Sequence, residues 1–427
     1  MPLLSYAPQS YAQLLPFMPS VKDQNFVVEE FIPHLSQPTS IAFVNDSSNN
    51  NNDLALLILQ KNDGTVRVAR NGSLSDRPVL DVNVANEGEQ GMLGITTVGN
   101  DTVYLYFTES SRDGGEAISK RVYQYTWNNE ELVEPVLVRD LPATQTYHNG
   151  GAMTTGPDGV AYLAVGDTGR YGILQNNPGG GLYPDTSVIM PVEPQGDYYA
   201  IGIRNSFGLA FDPVTGKLWE TENGNDDFDE INLVEPGFNS GWEAVMGPAT
   251  ESNLANLVDY ADYVYADPKF SWQRTVAPAG LTFVASRAMS NYNDSLFVGD
   301  CNNGNIYRFT LNEKRDGFMF GGPALSDKVA NLDDSMSEII FGEKFGCVTD
   351  LDIGPDGLLY ITSLGSNAIF RLVPKTMAAV DRGLFGPVGR NTQFLYFVAA
   401  IAGIGFAAGG ALAYRRRSSD RKKPPQN

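Results

Sequence analysis

A chain of 427 residues, 42% apolar and only 19% charged, excludes disorder and suits two or three domains or one large closed architecture. Its formal charge is −20, yet residues 415–427 hold six Lys/Arg against Asp420, so the rest carries −25 and nucleic acid is excluded as its partner. Two Cys and two His exclude a disulfide-rich scaffold and a cysteine-built zinc site.

Residues 1–24 form an N-terminal segment without a basic leader, interrupted by prolines. Either translation starts upstream of this Met, which we prefer, or the body is cytosolic and anchored by its tail. From Phe26 to Pro374 one pattern recurs: an apolar strand, a Gly/Asp/Pro turn, then a second strand rich in Tyr, Leu and Val. Its instances are 38–44 with LALLILQ, 91–98 with VYLYFTES, 150–167, 207–224, 279–286 with SLFVGD, and 349–363. The turn Gly-Pro-Asp-Gly occurs twice in matching places, at Gly156–Gly159 and Gly354–Gly357. Six such units over residues 25–375 predict an all-β fold, a six-bladed β-propeller, because no unit buries its faces alone and ring closure removes exposed edges. Residues 168–200 and 244–277 read as inserts on one rim.

Two segments within the units carry chemistry. His148, in Tyr-His-Asn-Gly-Gly, is a candidate proton acceptor; the alternative is a histidine satisfying a loop carbonyl. His34 reads as a surface loop residue. Residues 223–230 (NGNDDFDE) concentrate hard oxygen donors suited to Ca²⁺, without the spacing of an EF-hand; the alternative is a solvated acidic turn.

After a stalk at 376–393, residues 394–414 form a 21-residue run without charge, about 30 Å long as a helix. Arg415, Arg416 and Arg417 follow it, so we expect a single-pass transmembrane helix with a cytoplasmic basic tail and the acidic body outside the cell. Sequons at Asn45, Asn71, Asn100 and Asn293 agree with that side.

The strings GEQGMLGI, HNGGAM…GPDGVAYLAVGD, IRNSFGLAFDP, ETENG…DEINLVEPGFNSGW and GPDGLLYITS occur in this order. Over roughly residues 25–375 the chain thereby resembles the quinoprotein glucose/aldose sugar dehydrogenases, also called glucose/sorbosone dehydrogenases. The resemblance implies a propeller that binds pyrroloquinoline quinone (PQQ) and Ca²⁺ over its channel and oxidises a sugar hydroxyl by hydride transfer. It implies His148 as the base, Arg204 and Asn205 as cofactor-facing residues and Glu89 as a sugar contact. It further implies Gly224 and Asn225 as carbonyl ligands of a catalytic Ca²⁺, with Asp229, Glu230 and Ser240 in the stretch that supplies a structural one. The partners it implies are a sugar or other small alcohol and a membrane electron acceptor.

The chain departs from that pattern in two places. Asp300-Cys301-Asn302 and Gly346-Cys347-Val348-Thr349-Asp350 stand where the resemblance places three cations for the PQQ carboxylates, leaving Arg204 as the matched one. By the same resemblance Cys301 and Cys347 lie on neighbouring inner strands, free to bridge in an oxidising compartment or to stay as two buried thiols. A bridge would stand where PQQ carboxylates belong. Three functions follow: a membrane-anchored sugar or alcohol dehydrogenase, a non-catalytic Ca²⁺-stabilised binding propeller, and a Ca²⁺-dependent lactonase-type hydrolase.

Overall fold

The computed structural model describes residues 18–45, 54–143, 145–169 and 185–378. The run 394–414 and the basic tail lie outside them. Among the described residues no helix is long and apolar enough to cross a membrane.

The fold is an all-β propeller, and its strands group into six sheets. Their first strands are β1 (Pro38–Asn45), β2 (Met92–Val98), β3 (Met153–Thr155), β4 (Ser206–Phe211), β5 (Pro278–Phe283) and β6 (Val348–Ile353). Each packs against the next around a central axis, and β6 packs against β1. Glycine permits this crowding: a Cβ at Gly94 would lie 2.1 Å from the Gly151 carbonyl oxygen, and one at Gly208 2.0 Å from that of Ala279. A register irregularity recurs near the start of five of these strands, where a bulge re-aims side chains at the rim.

The apolar faces meet between sheets, not within one shared core. Leu57 and Val66 pack on Leu105 and Phe107, Tyr106 on Leu163, and Ile189 on Leu209. Trp219 and Trp272 pack on Tyr307 and Phe309, Phe297 on Ile361, and Ile369 on Ile58. These six seams close a circle, so the hydrophobic contribution depends on every sheet having two neighbours. Strand Phe26–Ile32 pairs antiparallel with Ala368–Pro374, so the two ends of the folded body lock one sheet.

The repeated turn has one geometry in both copies. Gly159 and Gly357 both have φ 78°. The Tyr162 hydroxyl donates to Asp158 at 2.9 Å, and that of Tyr360 to Asp356 at 3.0 Å. The two expected inserts are smaller than the sequence pattern suggests. Val188–Pro191 pairs with Ala161–Val165, and Phe270–Arg274 with Asp227–Val234. Phe270, Ser271 and Trp272 are buried in succession, which removes the alternation by which a strand is recognised. A further strand, Ser20–Val21, pairs with Ile340–Glu343 from within the expected N-terminal segment.

Candidate functional site

Loops flanking one sheet supply the first group of side chains. His148 sits at φ 56° in the loop before β3 and is 8% exposed. Its Nδ1 lies 2.7 Å from Oδ1 of Asp167, which follows strand Ala161–Val165 and is 1% exposed. Asp167 also accepts the Gly169 amide at 2.7 Å and the Trp242 indole N–H at 2.7 Å. Three donors converging on one carboxylate fix it, and a carboxylate accepts only. Nδ1 of His148 therefore carries the hydrogen and Nε2 is the basic nitrogen.

Glu89 and Asn205 tie this loop to its neighbours. Glu89 Oε2 accepts the Asn149 amide at 3.0 Å and the Asn205 side-chain N–H at 3.2 Å, while Asn205 Oδ1 accepts the Gly150 amide at 3.1 Å. Arg204 lies 5.1 Å above the Trp242 ring. Its guanidinium donates to the Asn223 carbonyl at 2.7 Å and to Asn225 Oδ1 at 3.3 Å. The structure thus gathers Glu89, His148, Arg204, Asn205 and Asn225 into one network. Asp167 and Trp242 were missed as functional residues, although both end strings already singled out above.

The remaining acidic residues take another position. Asp229 accepts three backbone amides, from Gly224 at 2.8 Å, Val276 at 2.5 Å and Ala277 at 2.8 Å. Glu230 turns away from it to accept the Gly247 amide and the Asn232 side chain. Ser240 donates to Glu222, which also accepts the Arg204 amide. Glu220, Glu222, Glu230 and Asn232 therefore form a buried oxygen-rich cluster in which Glu220 Oε2 and Asn232 Oδ1 have no partner. Burial raises the pKa of all three carboxyls, that of Glu222 to about 7, while bonds from Ser240 and the Arg204 amide work the other way. Among the described residues no three His, Cys, Asp or Glu side chains are disposed to hold a metal.

Above the axis lies a cavity of about 530 Å³, walled in part by Gly150 and Gly151 of the His148 loop and by Glu89, Asn223, Lys61 and Asp350. Lys61 donates to Asn62 Oδ1 at 3.0 Å; burial pushes its pKa down, against the opposing charge of Glu89. Cys301 and Cys347 are joined as a disulfide in the same wall, with their Cα atoms 3.7 Å apart. The bridge outcome is therefore the one adopted, and it ties the end of strand Ser295–Asp300 to the start of β6.

Asp350 and Asp352 continue down the channel on β6, where the matching positions of β2, β3 and β5 carry Thr96, Thr154 and Thr282. Burial among the inner strands raises Asp352 to about 7, with the Asp350 charge adding to it. An acid raised in the folded state binds its proton more tightly there than when unfolded. Its ionisation therefore removes stability as pH rises from about 4 to about 7. Asp352→Asn should raise the melting temperature at pH 8 by about 2–5 °C, channel water tempering the penalty, and leave it unchanged at pH 4. A difference independent of pH, read by scanning fluorimetry, would contradict the assignment.

The Glucose / Sorbosone dehydrogenase family model matches residues 35–371. The aldose sugar dehydrogenase of Escherichia coli K12 is 22% identical over 369 residues, covering 82% of this chain and 93% of that protein. Quinoprotein glucose dehydrogenase B of Acinetobacter calcoaceticus is 26% identical over 301 residues, 60% of each. The PQQ-bound aldose sugar dehydrogenase of Streptomyces coelicolor superposes with a TM-score of 0.59 at 21% identity, over 83% of this chain and 99% of that one. With the family model spanning most of the chain, from the first sheet into the last, this protein belongs to the Glucose / Sorbosone dehydrogenase family.

Proposed function

We propose that this chain is a sugar or polyol oxidoreductase in which the six sheets act as six blades and His148 is the base. The observation that carries this reading is the His148–Asp167 contact of 2.7 Å, itself held by Trp242 and Gly169. The hydroxyl proton of the substrate passes to Nε2 of His148; a quinone-class acceptor, when bound, would supply the hydride sink as the C–H bond breaks and the carbonyl forms. Asp167 holds the ring and offsets the charge it gains. Glu89, held by Asn149 and Asn205, would accept from a second hydroxyl of the same sugar.

PQQ carries three carboxylates, and the cavity does not match them. Lys61 is the cation in its described wall, Glu89 and Asp350 are acids there, and Arg204 is engaged with Asn223 and Asn225. The residues present do not fit that cofactor, and no step is assigned to it.

Calcium is different. The unpartnered oxygens of Glu220 and Asn232 are two hard donors of the kind such an ion takes, one carboxylate and one amide, so an ion there would draw its remaining ligands from carbonyls or water and not from a set of three acids. Gly224 and Asn225 border the same region. We expect EDTA to lower the melting temperature by about 3–8 °C and added Ca²⁺ to restore it. A melting curve indifferent to both removes calcium from the account.

The uncharged run at 394–414, the Arg cluster after it and the disulfide together support an anchored protein whose propeller faces an oxidising exterior. There a membrane electron carrier would reoxidise the acceptor.

The test is turnover of a panel of aldoses and polyols with an artificial quinone and dye, monitored by carbonyl formation. Carbonyl product with any member supports the reading. Saturable sugar binding without turnover on any member would instead assign the second reading, a binding propeller, which the cation-poor cavity favours.

A further inference from the structure

We infer that the central cavity selects uncharged ligands: a neutral polyol and, as electron acceptor, a quinone without carboxylates. The acceptor half rests on the oxidoreductase reading above; the charge selection stands on the cavity wall alone. Among the described residues Lys61 is the cation in that wall, and its charge is already faced by Glu89 and by the Asn62 and Asn86 oxygens. Asp350 adds a second acid, held by Ser40 and the Ile41 amide at 2.7 and 2.9 Å. A polyanion entering here would meet two acids and one compensated base.

The seam between β5 and β6 is where this chain could have put further cations, and it puts a disulfide there. Cys301 is fixed by its amide donating to the Ala277 carbonyl at 3.0 Å, and the Cys347 carbonyl accepts the Leu364 amide at 2.9 Å. The bridge offers a rigid, uncharged, weakly polar surface with no hydrogen-bond donor. Phe207, Leu209, Leu281 and Met153 continue that surface, so an uncharged ring loses little by leaving water. Asn62, Asn86 and Asn223 line the same cavity; Asn62 Oδ1 accepts from Lys61 and the Asn86 and Asn223 amides donate to the Asn62 and Pro278 carbonyls, and each keeps a second N–H or lone pair for a hydroxyl.

The experiment compares PQQ with its trimethyl ester, which keeps the ring system and removes the three charges. Both are titrated calorimetrically into the full chain with Ca²⁺ present. We expect the ester to bind and the free acid to bind at least about 100-fold more weakly, since each carboxylate desolvated without a cationic partner costs about tenfold or more. Equal or tighter binding of the acid overturns the inference, and so does failure of the ester to bind.

A double variant, C301K/C347R, places cations in the same wall. If circular dichroism shows it folded, it should gain at least about tenfold in affinity for the acid and little for the ester. A folded double variant without that gain overturns the charge argument. Asp350→Asn, which leaves the disulfide intact, should move the acid in the same direction by a smaller factor, and no gain there counts against the argument equally. These titrations do not involve His148, so their failure is distinct from failure of the oxidoreductase reading, which shows as absence of carbonyl product.

Discussion

Replacing His148 by Ala should lower turnover on any substrate found by about 10²–10⁴-fold while leaving the melting temperature within about 2 °C of the parent. In the proposed mechanism the imidazole supplies the basic nitrogen, and its loss removes an acceptor that water replaces poorly at a position only 8% exposed. Three contacts make the effect specific to this side chain. Asp167 orients Nδ1, Trp242 holds Asp167, and Arg204 lies over the Trp242 ring. Trp242→Phe keeps the ring but deletes the indole N–H, so it should weaken catalysis by a smaller factor through a misplaced Asp167. Steady-state rates of the two variants decide the matter. Full activity in His148→Ala would end the assignment of the base, and a Trp242→Phe loss as large as that of His148→Ala would place Trp242 in contact with substrate.

The second large effect concerns stability. Asp229→Ala should destabilise the fold by about 3–5 kcal/mol, because it strands the amides of Gly224, Val276 and Ala277 away from water. In a folded body of this size that corresponds to a fall of about 4–7 °C in melting temperature. Asp229→Asn retains an acceptor oxygen and should recover about half. The contrast separates the role of this residue from metal binding: loss of a calcium ligand would be abolished equally by EDTA, whereas loss of the three amide bonds would not. A melting temperature within 2 °C of the parent in Asp229→Ala would show that water reaches those amides. The sequence counts Asp229 among the oxygen donors for calcium. In the folded chain both of its oxygens are occupied by backbone donors, and the carboxyls facing one another are Glu220, Glu222 and Glu230.

Much of the architecture follows from local pattern. Strands such as Pro38–Asn45, Met92–Val98 and Ser295–Asp300 are legible because their β-branched and aromatic residues lie between turn residues, and each pairs with the next strand of the chain across a short connection. The repeated Gly-Pro-Asp-Gly turn is equally local, since φ, the Asp side chain and the following Tyr all lie within six positions. His148 and Asn205 also stand out in sequence, because a His before paired glycines or an Arg-Asn before a strand is an unusual local composition.

Tertiary structure alone decides which distant groups meet. Nothing near His148 announces Asp167, 19 positions away, or Trp242, 75 positions beyond Asp167, as the groups that orient it. Nor does sequence show that Arg204 spends its donors on Asn223 and Asn225, that Lys61 stands in the cavity wall, or that Cys301 and Cys347 are close enough to bridge across 46 positions. Local propensity acts over a few residues and determines the blades one at a time. Charge balance and proton transfer act through space, and only closure of the ring brings β1 beside β6 and sets which charges face one another over the axis.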